Sequence, residues 1–352
     1  MTSLADLTTL HVGGPARRLV EAATETELVE AVAAADAAGE PLLLVAGGSN
    51  LLVADDGFPG TVVHVATRGF SVASQDACGG GVVTVAAGHR FDDLVATAVE
   101  RGWGGIEALS GIPGSVGATP VQNVGAYGQE VAQTVETVRT WDRAERRQRT
   151  FAAAELGFGY RTSLLKRSRV ALAGSHAESR YVVLDVTFQF PMRPAPVRYP
   201  ELARRLGVEV GQVAPARAVR EAVLELRAGK GMVWDPADRS DHDTWSAGSF
   251  FTNPVLTADA ADRLPADAPR FPAGEGRVKT SAAWLIDRAG FGKGFGAPGP
   301  ATLSTKHTLA LTNRGSATAE DLLALARTVA DGVEQRFGVR LVNEPVLVGA
   351  SL

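Results

Sequence analysis

The sequence predicts a mixed helix-and-strand protein built in two or three lobes, and three observations lead there. A chain of 352 residues is too long for one simple core. Strand-like and helix-like segments alternate along it, with 45% hydrophobic and 21% charged residues, as in ordinary globular domains. A cluster of prolines at Pro191, Pro194, Pro196 and Pro200 marks a lobe boundary.

The elements follow in order. Residues 17–23 (RRLVEAA) read as a short strand. Thr24 and Glu27 form a capping box for a helix through Ala38, stopped by Gly39. Residues 41–46 (PLLLVA) and 61–66 (TVVHVA) are buried strands, with the tight turn Gly47-Gly48-Ser49-Asn50 between them. Another strand covers 81–88, and a helix over 91–101 stops at Gly102. Residues 135–142 and 147–153 make a hairpin, 156–166 a compact turn, and 180–190 an alternating strand. Beyond the prolines, 201–229 is helical in character. The small residues around Ser249 in SAGSFFTNP (246–254) suggest a tightly turned, exposed hydroxyl. Then come a helix over 279–290, a strand over 305–313, a capped helix from Thr318 to about Phe337, and a final strand over 338–350.

One stretch breaks this alternation. Residues 105–130, GIEALSGIPGSVGATPVQNVGAYGQE, carry six glycines and two prolines. Glycine lets the backbone take positive φ and approach a ligand closely, and proline stiffens the turns between. Successive N–H groups in such a run form anion-binding nests. Ser110, Ser115, Thr119, Gln122 and Asn123 add hydroxyl and amide groups suited to phosphates and heterocycle edges. A solvated glycine-rich loop is the plain alternative, but it would lack the apolar residues threaded through: Ile106, Leu109, Ile112, Val116, Val121 and Val124. The run therefore reads as a buried loop wrapped on a phosphate-bearing cofactor. The 47–50 turn could hold a pyrophosphate by its N–H groups and the Ser49 hydroxyl; a ligand-free turn is its alternative.

Composition excludes several classes. A net charge of −4 and the lack of a basic stripe with interleaved aromatics argue against nucleic acid. The single cysteine, Cys78, rules out an internal disulfide framework and suits a reducing cytoplasm; it reads as a bystander thiol. With no signal-peptide pattern and no apolar run of spanning length, a cytoplasmic protein is expected. The six histidines (11, 64, 89, 176, 242, 307) lack metal-ligand spacing. GFGKGFG (290–296) imitates a dinucleotide fingerprint but follows a helix.

Taken together, TTLHVGGPA (8–16), AGGSNLLV (46–53), the central loop, GYRTSLLK (159–166), SAGSFFTNP (246–254) and SAAWLID (281–287) resemble one family in order and spacing. It is the UDP-N-acetylenolpyruvoylglucosamine reductases, flavoenzymes of early peptidoglycan synthesis, and the match covers nearly the whole chain. The resemblance implies an α+β fold: an FAD-binding lobe of the vanillyl-alcohol-oxidase (PCMH) type in two subdomains, plus a separate α+β substrate-binding domain. It divides the chain into 1–66 with 338–352 returning, 67–193, and a substrate domain over 194–337.

The cofactors implied are FAD and NADPH. The FAD contacts implied are Gly47, Gly48, Ser49, Asn50 and Leu51, then Ser110, Gly111, Pro113, Gly114, Ser115, Gly117, Ala118, Gln122, Asn123, Gly125, Ala126 and Tyr127. In family chemistry NADPH reduces the flavin, and the enolpyruvyl ether of UDP-N-acetylglucosamine enolpyruvate is then reduced to the lactyl ether of UDP-N-acetylmuramate. Hydride addition to the vinyl carbon leaves enediolate-like charge, so the site needs donors at the carboxylate and an acid at the neighbouring carbon.

The matching positions are Arg161 for the carboxylate, Ser249 for the proton, and Glu344 to share the proton load with Arg161. A turn arginine, a loop hydroxyl and a structural ion pair are their plain readings. Tyr160, Tyr199, Arg227, Lys230 and Asn253 are the implied substrate contacts, Tyr199 from a subclass whose loop closes over the nucleotide diphosphate. The chain departs from the family at Asn343-Glu344-Pro345, where proline usually precedes the glutamate, and at Ala46, where glycine is usual. A monomer is expected. A flavin oxidase on the same scaffold, or a non-catalytic protein binding flavin or a nucleotide sugar, would share the glycine-rich cradles without needing Ser249 and Glu344 together.

Overall fold

The computed structural model describes residues 2–76, 79–171, 177–235 and 237–352; Cys78 and His176 lie outside them. The chain packs into two compact units, each built from separated segments. One comprises Ala16–Gly47 and Pro59–Ala228; the other comprises Met1–Pro15, Gly48–Phe58 and Gly229–Leu352. These bounds differ from the division that the sequence resemblance implies, into 1–66 with 338–352, 67–193 and 194–337.

The first unit begins with a three-stranded sheet in which Ala16–Ala22 and Leu42–Val45 flank Phe58–Val65, the latter two parallel. The Glu25–Ala37 helix carries the expected reciprocal capping box, with Glu27 N–H on the Thr24 hydroxyl and Thr24 N–H on the Glu27 carboxylate. A five-stranded antiparallel sheet follows, in the order Arg147–Ala152, Val135–Asp142, Tyr181–Phe190, Gly80–Ala86, Phe70–Asp76. The Phe91–Arg101 helix ends at Gly102 in the left-handed region, as its sequence requires. Phe91, Phe151, Phe188, Phe190 and Trp103 fill the core of this unit, and Ile106, Leu109, Val116 and Val131 join them, fully buried. The central loop is thus anchored from within by its own apolar residues.

The Pro200–Leu206 and Ala216–Ala228 helices close this unit. Pro200 occupies the first helical turn after Tyr199, where a missing N–H costs nothing.

The second unit is organised by the Ala319–Phe337 helix, whose capping box joins Thr318 and Asp321. It packs Leu322, Ala326, Val329 and Val333 with Leu285, Ile286, Phe250, Phe251 and Leu303. Leu51–Val53 pairs in parallel with Val346–Val348. GFGKGFG follows the Ala282–Arg288 helix and leads to the strand Ala301–Leu303, which is no dinucleotide-binding context.

Two expected strands are shorter than the sequence suggests. Over 305–313 only Leu311–Asn313 is strand. The Ser304 hydroxyl accepts the N–H groups of Lys306 and His307 at 3.0 and 3.1 Å, which curls the chain into a turn first. Over 338–350 only Val346–Val348 is strand. Pro345 has no N–H to give a ladder, and Asn343 Nδ2 folds back onto the Pro345 carbonyl at 2.8 Å. The compact turn at 156–166 contains the start of a short helix, Leu164–Arg167, capped by Ser163.

Candidate active site

In the first unit, the turn after Leu42–Val45 meets the central loop backbone to backbone. A Cβ on Gly47 would lie 2.6 Å from the Gly114 Cα, so the two glycine-rich segments meet this closely because Gly47 has no side chain. Gly111 and Gly114 have φ of 72° and 109°, conformations that other residues adopt at a cost. Gly117 donates to the Ala87 carbonyl at 2.8 Å, and Val116 to that of His89 at 2.8 Å. These bonds hang the loop from the end of the Gly80–Ala86 strand. Ser110 is fully buried, and its hydroxyl donates to the Glu107 carbonyl at 2.7 Å.

Asn123 is a structural keystone of this loop. Its amide donates to Glu130 at 2.8 Å and to the Gly159 carbonyl at 3.1 Å, and its oxygen accepts Ala132 N–H at 3.2 Å. Its side chain is therefore engaged within the protein, which leaves the backbone as its means of meeting a cofactor. Gln122 and Ala126 flank it at half-buried positions, and Gly125–Ala126 pairs with Gln129–Glu130.

Arg161 is not an ordinary surface arginine. Gly159 and Thr162 exchange both backbone hydrogen bonds, at 3.1 and 3.2 Å, so Tyr160 and Arg161 form the tip of a tight turn. Arg161 sits half-buried at φ 54°, a conformation uncommon outside glycine and asparagine. Three bonds tie this turn to the loop: Asn123 to Gly159, the Ser163 hydroxyl to the Val121 carbonyl at 2.6 Å, and Arg161 Nη2 to the Gly125 carbonyl at 3.1 Å. The guanidinium also lies 5.6 Å from the Tyr160 ring. Tyr127 and Tyr199 meet edge to face at 5.4 Å, with Tyr199 largely exposed. Arg227 is buried on the last turn of the Ala216–Ala228 helix. Burial pushes its guanidinium below the usual range, opposed by the charges of Tyr127 and Asp92.

In the second unit, Gly48 packs so closely on Leu7 that a Cβ would lie 1.7 Å from the Leu7 carbonyl oxygen. Asn50 Nδ2 donates to the Glu344 carbonyl at 3.4 Å, and the Asn50 carbonyl accepts Val346 N–H at 2.9 Å. Leu51 then pairs with Val346. Glu344 N–H donates to the Phe250 carbonyl at 2.8 Å, and Thr252 N–H to that of Val342 at 3.0 Å. A short antiparallel ladder thus brings the segment after Ser249 alongside Glu344; Ser249 and Glu344 are themselves half-buried. Ser249 is less open than its sequence suggests, because Phe250 and Phe251 beside it are core residues. Gly248, at φ 71°, makes the turn before it. The Asn253 amide oxygen accepts Ala282 N–H at 2.9 Å, which starts the next helix. Lys230 is half-buried in the turn after Ala228. Among the described residues, no cluster of His, Cys, Asp or Glu could hold a metal, and no helix is long and apolar enough to cross a membrane.

Known proteins share this arrangement across nearly the whole chain. Two family models match: an FAD binding domain over residues 16–150, and the UDP-N-acetylenolpyruvoylglucosamine reductase C-terminal domain over 238–348. The UDP-N-acetylenolpyruvoylglucosamine reductase of Cutibacterium acnes is 57% identical over 99% of this chain and 90% of its own length. That of Streptomyces coelicolor is 55% identical over 99% and 90%. The chain belongs to the UDP-N-acetylenolpyruvoylglucosamine reductase family. A family structure from Thermus caldophilus superposes with a TM-score of 0.63 at 28% identity, covering 99% of this chain and 97% of that one. The expected α+β architecture, an FAD-binding domain followed by a distinct C-terminal domain, agrees with these matches.

The loop suits the family's cofactor. A flavin pyrophosphate is best held by backbone N–H groups in tight glycine turns. The 47–50 turn, with positive φ at Gly48, offers that kind of surface; in the 111–117 run, the N–H groups of Gly111, Ile112, Val116 and Gly117 already donate within the protein. The sequence did not reveal what supports the loop from behind. Glu107, fully buried, accepts Gly105 N–H and Ala195 N–H, each at 2.6 Å. Asp92 accepts Gly111 N–H at 2.6 Å. In sequence Glu107 is one charge in an apolar run and Asp92 an acid in a helix's first turn, which the helix dipole alone explains.

Proposed function

We propose that this protein reduces the enolpyruvyl group of UDP-N-acetylglucosamine enolpyruvate to the lactyl ether, using NADPH and FAD, and so supplies UDP-N-acetylmuramate for peptidoglycan synthesis. The observation that carries the reading is the Phe250–Glu344 hydrogen bond, which holds the residue after Ser249 against Glu344. The bond fixes backbone only; on this reading the Ser249 hydroxyl and the Glu344 carboxylate act at one site, which a flavin oxidase or a simple binding protein does not need.

When bound, FAD supplies hydride exchange between NADPH and the nucleotide sugar. Gly47, Gly48, Ser49, Asn50 and Leu51, with Ser110, Gly111, Pro113, Gly114, Ser115, Gly117, Ala118, Gln122, Asn123, Gly125, Ala126 and Tyr127, would hold it. Arg161 brackets the substrate carboxylate with its planar guanidinium. Because the guanidinium is fixed by the Gly125 carbonyl, it meets the developing enediolate charge with little reorganisation. Ser249 gives the proton to the carbon beside the carboxylate, and Glu344 shares the proton load with Arg161. Tyr199, Arg227 and Lys230 serve the nucleotide diphosphate, with Tyr160 and Asn253 contributing substrate contacts. On this reading 1–66 with 338–352 and 67–193 form the two FAD-binding subdomains, and 194–337 the substrate domain, of a cytoplasmic monomer.

The direct test is the purified protein's colour and its response to reductant. It should be yellow, release FAD into the supernatant on acid precipitation, bleach with NADPH in the absence of oxygen, and regain colour with the enolpyruvyl substrate. A colourless protein that takes up no added FAD would contradict the whole reading.

A further inference from the structure

One face of the Ala216–Ala228 helix backs the central loop. Arg220 grips Asp92 with both arms, Nη1 to Oδ1 at 2.6 Å and Nη2 to Oδ2 at 2.9 Å. The same Oδ1 accepts Gly111 N–H at 2.6 Å. Leu224 and Arg227, four and seven residues further along the helix, lie under Gly111 itself. A Cβ there would come 2.8 Å from Leu224 Cδ2 and 3.3 Å from Arg227 Nε. Residues spaced by four and seven share a helix face, so Leu224 and Arg227 meet Gly111 directly and Arg220 meets it through Asp92. The pair is mostly buried, where a bidentate arginine–carboxylate contact is strong and orientation-specific. Burial pushes the Asp92 carboxyl up, but the Arg220 guanidinium, Gly111 N–H and the charge of Arg227 outweigh it and hold it below the usual carboxylate range.

We propose that Asp92 and Arg220 are positioning residues that set the glycine-rich loop for flavin and, through the same helix face, set Arg227 for the substrate diphosphate. The proposal rests on the reading of the loop as the flavin cradle. Asp92 joins three things with one carboxylate: a loop N–H, the guanidinium that fixes the helix, and a negative charge for the buried Arg227. The loop and Arg227 therefore cannot move independently. Loss of the Asp92 carboxylate frees Gly111 from its side-chain acceptor and removes the negative charge that Arg220 and Arg227 share.

The test uses full-length Asp92→Ala, Asp92→Asn and Arg220→Met proteins, stripped of flavin and titrated with FAD, with apoprotein melting measured alongside. Asp92→Ala should raise the FAD Kd about 10- to 100-fold, the loss of one to two charge-assisted contacts. Asp92→Asn keeps an oxygen for Gly111 N–H, so its Kd should rise less. With FAD saturating, both should raise the KM for UDP-N-acetylglucosamine enolpyruvate with little change in kcat. Arg220→Met, which leaves Asp92 on Gly111, should affect KM more than the FAD Kd. If Asp92→Ala fails to fold, Asp92→Asn and Arg220→Lys give the same comparison. Lowered melting temperatures with unchanged Kd and KM would reduce the pair to an ordinary ion pair and overturn the proposal. Failure of the unaltered protein to bind FAD would instead overturn the flavin reading on which it stands.

Discussion

A Cβ added to Gly47 would sit 2.6 Å from the Cα of Gly114, so the backbone at Gly114 leaves no room for a side chain at Gly47. Gly47 has no positive φ to explain its glycine; the neighbour does. Gly47→Ala should therefore push the loop away at Gly114, where backbone cannot yield as a side chain can. Overpacking of this kind typically costs about 1–3 kcal/mol. FAD affinity measured by fluorescence titration should fall along with the melting temperature. A Gly47→Ala protein that retains flavin as tightly as the unaltered one would show that the two segments do not cooperate in binding it.

Lys230 should serve substrate binding more than chemistry. Lys230→Ala should raise the KM for the nucleotide sugar, since one charge-assisted contact is worth on the order of 1.5–3 kcal/mol, while flavin content stays constant. Steady-state kinetics with flavin quantified in the same samples makes the check. Loss of FAD in this variant would move Lys230 from the substrate to the cofactor.

Stability should fall in mild acid, with His11 as one cause. Its ring packs on Trp245 at 4.3 Å, its Nε2 is buried without a hydrogen-bond partner, and its backbone has φ 51°. Burial and then Arg239 lower its pKa, Asp6 opposes them, and His242 adds a smaller lowering. A depressed histidine is neutral in the fold, so its stabilisation is whole above the ordinary value of about 6.5 and is lost as pH falls through the folded value. His89, also lowered by burial, acts in the same direction. His11→Asn, with a residue that tolerates this backbone, should melt at a lower temperature at neutral pH but with a shallower decline between about pH 7 and 5. An unchanged slope would remove His11 as a contributor.

How much of this was legible depended on whether the signal was local. Thr24 with Glu27 and Gly102 announced their helix ends because capping is settled within four residues. The buried loop declared itself through Ile106, Leu109 and Val116, apolar residues that no solvated linker carries. The strand Phe70–Asp76 gave no signal, because this edge strand is exposed along its whole length and has no buried face to pattern. The turn at 305–310 was hidden in a β-like run because a single hydroxyl, Ser304, redirects it. The Asp92–Arg220 clamp joins residues 128 apart, and no spacing rule links them. For the candidate site, Arg161, Ser249 and Glu344 stood out only through ordered motifs. The structure places Arg161 in a left-handed turn and Glu344 in a backbone ladder with Phe250, neither of which a local pattern foretells.

The account turns on Ser249 as the proton donor, and separate half-reactions of Ser249→Ala test that most directly. Reduction by NADPH places no proton on the substrate carbon, so the anaerobic variant should bleach at a near-normal rate. The return of colour on adding the enolpyruvyl substrate should slow by about 10²–10⁴-fold, the usual worth of a general acid, and Ser249→Cys should retain more of that step than alanine. Equal slowing of both half-reactions would make Ser249 a structural residue, and unchanged reoxidation in Ser249→Ala would contradict the mechanism.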